Sequence, residues 1–207
     1  MDAIVVYESI YGNTRAIAEA IAAGMGGAPV FPVHEAARHR RTVDLLVVGG
    51  PTHMYGLSTS LSRRLAAEAA HEDGEKHVEP GVTDEPGLRA WLRDLTPNAA
   101  HHAAAFDTRL DKSTWITGVA ARGIARRLRR HGIDVVATES FLVENSEGPL
   151  EAGELHRARE WGAQLAPFSA VRDRYLSRCG QGGWMRSSSR IRCWLGVSGS
   201  SSGPWWV

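Results

Sequence analysis

The sequence predicts an open α/β domain with a parallel, doubly wound sheet. Segments typical of strands alternate with segments typical of helices over most of the 207 residues. Residues 3–7 are a continuous apolar run rich in β-branched residues, which is typical of a strand buried on both faces of a parallel sheet. Residues 43–48, bounded by Gly49, Gly50 and Pro51, are the next strongest strand segment. A composition of 43% hydrophobic and 23% charged residues fits one folded domain with a sizeable core.

The first elements form a strand, a tight loop and a helix. Residues 3–7 are the first strand, and apolar residues at helical spacing predict a helix from Thr14 that ends at the glycines around Gly24. Residues 29–33 are a weaker second strand. Its two prolines favour the edge of the sheet, where a missing N–H disrupts no ladder.

The middle of the chain repeats this alternation. Residues 43–48 are the third strand, and residues 57–70 form a helix with Ser58 as its N-cap. Residues 71–87 lack periodicity and carry six acids against one lysine, which predicts a solvated loop. A short helix follows at residues 88–95.

The last elements complete a five-stranded sheet. Residues 103–108 are the fourth strand, and residues 115–131 form a helix with an arginine-rich outer face. The fifth strand covers residues 133–143 with a bend near Thr138 and Glu139, and residues 151–166 form the last helix. The residues of this helix that should face inward are Leu155, Ala158, Trp161, Gly162 and Leu165. Such alternation favours right-handed crossovers and a parallel sheet.

Charge divides the chain into an acidic domain and a basic tail. Residues 1–167, the predicted domain, hold 18 basic and 22 acidic side chains, a net charge of −4. Residues 168–207 hold six arginines, one acid and many serines and glycines, so we expect a disordered tail. Binding of this tail to an acidic membrane surface or partner is the alternative. A mildly acidic domain repels phosphates, which argues against nucleic acid as a partner.

The sequence predicts a cytoplasmic protein without a membrane span. It contains no apolar run of about 18 residues. Its start lacks the basic and apolar regions of a secretory signal. Both cysteines, Cys179 and Cys193, lie in the tail, so the domain is expected to fold without a disulfide framework.

The loop between the first strand and the first helix has the features of a phosphate site. Ser9, Tyr11 and Thr14 offer hydroxyl groups, and Gly12 permits a tight turn. The unpaired N–H groups of the following helix point towards the same place. Ligands of open parallel sheets bind at the carboxyl ends of the strands where the strand order reverses. The alternative is that these polar residues only cap the helix.

These residues resemble a known family. The segment Tyr7-Glu8-Ser9-Ile10-Tyr11-Gly12-Asn13-Thr14 is similar to the phosphate-binding loop of the flavodoxins. The tyrosine before the glycine resembles the related quinone-reductase flavoproteins. The resemblance implies a flavodoxin-like sheet with strand order 2-1-3-4-5. It also implies FMN as the cofactor, with its phosphate held by Ser9, Ile10, Tyr11, Gly12, Asn13 and Thr14.

The resemblance extends to two further loops. In the family, the loops after the third and fourth strands contact the flavin ring. The corresponding residues here are Pro51, Thr52, His53, Met54, Tyr55 and Gly56, then Asp107, Thr108 and Arg109. Tyr55 is expected to stack on the ring. Gly56 is expected to let a peptide turn over as the ring is protonated. The fourth-strand loop departs from the family because it has no aromatic residue before Trp115.

Other functional classes lack their motifs in this chain. The third strand ends in Gly49-Gly50-Pro51, not in the aspartate of a response regulator. The dinucleotide fingerprint, the P-loop lysine pattern and the nucleophile elbow are absent. A small tyrosine phosphatase needs a cysteine in its anion loop, whereas both cysteines of this chain lie in the tail. The nine histidines lack the spacing of metal ligands, so we predict no metal site. We also predict no catalytic residues.

Three functions remain for such a domain. The first is an FMN-binding electron carrier that serves a redox partner protein or a small electron acceptor. The second is an FMN-dependent oxidoreductase that reduces a quinone-type acceptor from a nicotinamide donor. The third is a flavin-free regulatory or binding module of the same fold. The tyrosine-bearing loop favours the second, and the absence of an obvious nicotinamide site favours the first.

Overall fold

The computed structural model describes residues 2–36, 41–53, 56–73, 78–79, 86–111, 119–145 and 147–170. Within them the chain forms six strands: β1 (Ala3–Tyr7), β2 (Val30–Pro32), β3 (Val43–His53), β4 (Gly56–Leu57), β5 (Ala100–Leu110) and β6 (Asp134–Val143). The same residues form six α-helices: α1 (Asn13–Gly24), α2 (Val33–Ala36), α3 (Ser60–Asp73), α4 (Leu88–Asp94), α5 (Ala120–Arg130) and α6 (Glu154–Leu165).

Five parallel strands form the sheet in the order β2-β1-β3-β5-β6. The two-residue strand β4 folds back antiparallel onto the end of β3. Without β4, this is the predicted order 2-1-3-4-5, and the predicted fold class is confirmed. The short, proline-containing β2 lies at the edge, as its composition indicates. Strand order reverses between β1 and β3, so the loop after β1 lies at the switch point.

Apolar layers cover both faces of the sheet. Helices α1 and α6 pack on one face around Ile17, Phe106 and Trp161. Helices α4 and α5 pack on the other face around Leu92 and Ile124. The central strands therefore contribute alternate residues to both cores, and the faces of the sheet are covered.

Helices α1 and α6 touch backbone to backbone. A Cβ atom added to Gly162 would lie 2.1 Å from the carbonyl oxygen of Ile21, and one added to Gly24 would lie 2.0 Å from that of Arg159. Real Cβ contacts are never that short, so only glycine permits this crossing. Because α1 begins at the candidate phosphate loop, the crossing also fixes the position of that loop.

Several element boundaries differ from the prediction. Strand β3 continues beyond Val48 through Gly49, Gly50 and Pro51, because these residues pair with β5. The predicted N-cap, Ser58, is wrong: α3 begins at Ser60. Thr59 caps the helix instead, since its hydroxyl accepts the Ser62 N–H at 3.1 Å and the Ser62 hydroxyl accepts the Thr59 N–H at 2.8 Å.

The last elements also begin later than predicted. Helix α5 begins at Ala120, after an extended Val119, and residues 112–118 lie outside the described residues. The irregularity of β6 lies at Val136, an extra residue opposite Ala103 and Ala104, not at residues 138–139. Helix α6 begins at Glu154, and Leu155 is 49% exposed, so its predicted inward orientation is wrong.

Regular secondary structure continues past residue 167, the predicted domain boundary. A 3₁₀ helix covers Ala166–Ala170, with Ser169 buried. The ring of Phe168 lies edge-on to that of His102, with 5.6 Å between their centroids. Residues 171–207, the rest of the predicted tail, lie outside the described residues. Among the helices that the structure describes, none is long and apolar enough to cross a bilayer.

Candidate functional site

The loop from Ser9 to Thr14 forms a tight turn into α1. Gly12 is the N-cap residue, with φ +90° and ψ −19°, a left-handed conformation that favours glycine. The hydroxyl of Ser9 accepts the Gly12 N–H at 3.0 Å and so closes the turn. Among the residues that the structure describes, no side chain caps α1. The first N–H groups of the helix, which have no intrahelical acceptor, are therefore left to a ligand or solvent.

Two polar side chains of this loop reach across to other elements instead of capping the helix. The Thr14 and Thr108 hydroxyls are hydrogen-bonded at 2.8 Å, and both residues are buried. The Asn13 amide donates to the carbonyl oxygen of Glu147 at 2.7 Å. Simple helix capping thus does not explain the polar residues of this loop, and the loop is tied to the ends of β5 and β6.

Thr52 and Asp107 connect the next two loops to the start of α5. The Thr52 hydroxyl donates to Asp107 Oδ2 at 2.9 Å and accepts the Ala120 N–H at 3.0 Å. The same Oδ2 accepts the Ala121 N–H at 2.9 Å. The two side chains therefore cap α5 together and hold the carboxyl ends of β3 and β5 in fixed positions.

Asp107 is fully buried, and its Oδ1 has no hydrogen-bond partner of normal geometry among the described residues. Burial raises the pKa of Asp107 above its ordinary value, and the Ala121 N–H, the hydroxyls of Ser140 and Thr52 and the charge of Arg109 offset part of the rise.

We expect Asp107→Asn to remove a pH dependence of stability. Since burial raises the folded-state pKa above the ordinary value of 3.8, the folded chain binds more protons than the unfolded chain at pH values between the two pKa values. The free energy of unfolding of the parent therefore falls as the pH rises from about 3.8 through the raised pKa. Asparagine keeps an oxygen for Thr52 and Ala121 and carries no charge, so the variant should lack this fall.

Urea denaturation at a series of pH values measures this difference. Asp111→Asn, at an exposed position, is the matched control and should keep the slope of the parent. Equal slopes for Asp107→Asn and the parent would contradict the expectation.

A second buried carboxylate, Glu8, lies on the other side of the switch point. It accepts hydrogen bonds from the Ser58 hydroxyl and the Leu88 N–H. Its Oε1 lies 3.8 Å from Nη1 of the buried Arg63. Glu8 and Asp107 thus hold the chain between β3 and α3 at both ends, at Ser58 and at Thr52. Glu8 is not among the predicted site residues, although an acid directly after a buried apolar strand is a signal in the sequence that points to it.

A small cleft of about 70 Å³ lies where the three predicted loops meet. Nine of the fifteen predicted site residues line it: Ser9, Ile10, Tyr11, Asn13, Thr14, Pro51, Thr52, Thr108 and Arg109. Of the others, Gly12 forms the turn, and Asp107 accepts a hydrogen bond from the Thr52 hydroxyl. Gly56 pairs with the backbone of His53 at the end of β3. Met54 and Tyr55 lie outside the described residues.

A larger cleft of about 410 Å³ lies on the opposite side of the β1 loop, beside β2. Its lining includes four carboxylates: Glu8, Glu19, Glu35 and Glu79. The pKa of Tyr7 in this cleft is raised by burial and by the charge of Glu79, with a smaller opposing effect of Arg15. Two arginines, Arg15 and Arg63, also line this cleft and leave its carboxylates in excess, so we expect the small cleft to be the better anion site despite its size.

Solved structures with the same fold include flavodoxins. A short-chain flavodoxin associated with a PDU bacterial microcompartment matches with a TM-score of 0.51 and 11% identity, over 82% of this chain and 99% of that chain. Flavodoxin 1 from Bacillus cereus matches with a TM-score of 0.48 and 15% identity, over 81% and 98%. A flavodoxin from the domain Archaea matches with a TM-score of 0.45 and 21% identity, over 81% and 97%.

The match to the short-chain flavodoxin, with its TM-score of 0.51, shows that the chain has a flavodoxin-like fold. The resemblance stated from the sequence is thereby confirmed at the level of the fold. No protein-family model matches the chain, and no curated protein sequence matches it. Identities of 11–21% show the fold and do not define an activity.

Proposed function

We propose that the chain binds FMN, with the phosphate in the small cleft and the flavin at the loops after β3 and β5, and that it works as an electron carrier. The observation that carries the proposal is the meeting of the three loops in one cleft at the carboxyl edge of the sheet. Each loop was assigned to the cofactor from the sequence, and the three are far apart in the chain.

The cleft offers a phosphate hydrogen-bond donors and a favourable charge. The first N–H groups of α1 point into this end of the sheet, and the helix dipole adds about 0.3–1 kcal/mol for an anion. The hydroxyls of Ser9 and Thr14 supply further donors, and Arg109, which also lines the cleft, adds a positive charge. Hydrogen bonds to a charged acceptor are the strong class and offset the desolvation of a phosphate.

The chain's own residues bind and position the cofactor in this proposal. When bound, FMN supplies the redox chemistry by accepting and releasing electrons. Thr52 and Asp107 fix one end of the ring-contacting loop, and Ser58 and Glu8 fix the other. These fixed flanking residues keep their own groups in constant positions beside the polar edge of the ring, and the surroundings of that edge set its potential.

Loading the full chain with FMN tests the proposal. We expect a yellow protein that quenches FMN fluorescence, exchanges electrons with a separate flavin reductase and does not oxidise NADH or NADPH unaided. Nicotinamide oxidation by the loaded protein alone would instead make it an oxidoreductase of the quinone-reductase type. A colourless protein that leaves added FMN fully fluorescent would contradict FMN binding and favour a flavin-free module.

A further inference from the structure

Helix α5 carries a concentration of positive charge that the proposed cofactor site does not use. Five of its eleven residues are arginines, and none is acidic. Arg89 of the adjacent α4 lines one cleft together with Arg127. We call these residues the basic α5 surface: Arg89, Arg122, Arg126, Arg127, Arg129 and Arg130. All except the half-buried Arg127 are exposed.

No carboxylate neutralises this surface within the part of the chain that the structure describes. Arg127 donates to the carbonyl oxygen of Gly123, and Arg89 donates to that of Leu57. Burial, followed by the charges of Arg89, Arg130 and Arg126, lowers the pKa of Arg127. Like charges at helical spacing destabilise a helix. Arg127, Arg129 and Arg130 lie in the last turn of α5, where positive charge interacts favourably with the helix dipole. Arg122 lies in the first turn, where the dipole disfavours positive charge, so folding stability does not explain the whole cluster.

The rest of the domain carries the opposite charge. Outside the basic α5 surface, residues 1–167 hold 12 basic and 22 acidic side chains. The domain thus combines one strongly positive face with a negative remainder. Such a distribution orients an incoming acidic partner towards a single face and accelerates its association.

The basic α5 surface begins at the edge of the candidate cofactor cleft. The N–H groups of Ala120 and Ala121, at the start of α5, bind Thr52 and Asp107. The Arg89 guanidinium donates a hydrogen bond to the carbonyl oxygen of Leu57 at 2.7 Å, and Leu57 directly follows the ring-contacting loop. A partner on this surface would therefore lie beside the end of the sheet at which the flavin is proposed to bind.

We infer that the basic α5 surface docks an acidic protein that exchanges electrons with this chain. Helix α5 is about 16 Å long, which limits the contact to the small interfaces of transient electron-transfer encounters. A long polyanion such as DNA, or an anionic membrane, would extend past the helix and meet the negative remainder. A compact acidic protein avoids that repulsion. Only the redox nature of the partner rests on the proposed function.

Binding of a labelled plant-type [2Fe–2S] ferredoxin, used as a small acidic electron-transfer protein, tests this inference on the full chain. We expect Arg126→Gln/Arg129→Gln to weaken binding about tenfold at low salt, and salt to weaken binding to the parent. Arg41→Gln/Arg159→Gln removes the same charge at exposed positions away from α5. This control should change the affinity less than about twofold.

Equal losses in the two double variants would overturn the inference, because net charge and not this surface would then govern binding. Tighter binding of a short DNA duplex or of phosphatidylserine vesicles than of the ferredoxin, at the same salt concentration, would also overturn it. The measurement does not need FMN. A chain that takes up no FMN but binds the ferredoxin through α5 would contradict the proposed function and leave the docking surface in place.

Discussion

Replacing Ser9 by alanine and Thr14 by valine in one chain should weaken FMN binding by about 100-fold. Each hydroxyl is expected to contribute a hydrogen bond to the charged phosphate, worth about 1.5 kcal/mol at the low end. Together that is about 3 kcal/mol, or two powers of ten in affinity. The Ser9 hydroxyl also closes the Gly12 turn, so its loss loosens the phosphate loop. Fluorescence titration with FMN measures the effect.

Two controls separate binding from folding. Thr14→Val leaves the buried Thr108 hydroxyl without its partner, which costs about 1–3 kcal/mol of stability. Circular dichroism and urea denaturation of the unloaded variant show whether it still folds. Thr96→Val, at an exposed position away from the loop, should leave the affinity for FMN unchanged. A folded double variant with the parent's affinity would contradict the role of the two hydroxyls.

Gly162→Ala should destabilise the domain by about 3 kcal/mol. The new methyl group would lie 2.1 Å from the carbonyl oxygen of Ile21, a backbone atom that no side-chain rotation can move. Helices α1 and α6 would have to separate, and overpacking of this kind costs about 1–3 kcal/mol or more. Because α1 carries the phosphate loop at its start, the shift should also lower the affinity for FMN. Urea denaturation measures the loss of stability.

Gly123→Ala is the matched control. It lies in α5, where an added Cβ would meet its nearest atom, Arg127 Nη1, at 3.5 Å, an ordinary contact. Alanine is the better helix former, so this variant should gain about 0.5–1 kcal/mol. If Gly162→Ala were as stable as the parent, the helices would not be in the close contact described above.

Local patterns predict the central and edge strands, whereas the full strand order and the meeting of the three loops were implied by the resemblance to the flavodoxins. The apolar runs of β1 and β3 identify central strands, and Pro29 and Pro32 identify an edge strand. Parallel strands then bring their carboxyl-end loops to one edge of the sheet. The switch-point loop, with Gly12 at its turn, follows from the same reasoning.

The prediction was wrong, or made no statement, where contacts between residues far apart in the sequence determine the structure. Gly49, Gly50 and Pro51 are poor strand formers, yet they extend β3 because they pair with β5. The helical period alone left Leu155 on the inward face, and the later start of α6 exposes it. The bonds of Glu8 to Ser58 and to the Leu88 N–H join residues 50 and 80 positions apart, and no local pattern encodes such contacts.

Comparing FMN with riboflavin is the most direct test of the central claim, that the loop after β1 holds a phosphate. The two ligands share the flavin ring, and riboflavin lacks the phosphate. We expect the full chain to bind FMN at least about 100-fold more tightly in a fluorescence titration, since the phosphate gains about 3 kcal/mol from the loop donors. Equal affinities for the two ligands, or binding of neither, would contradict the claim.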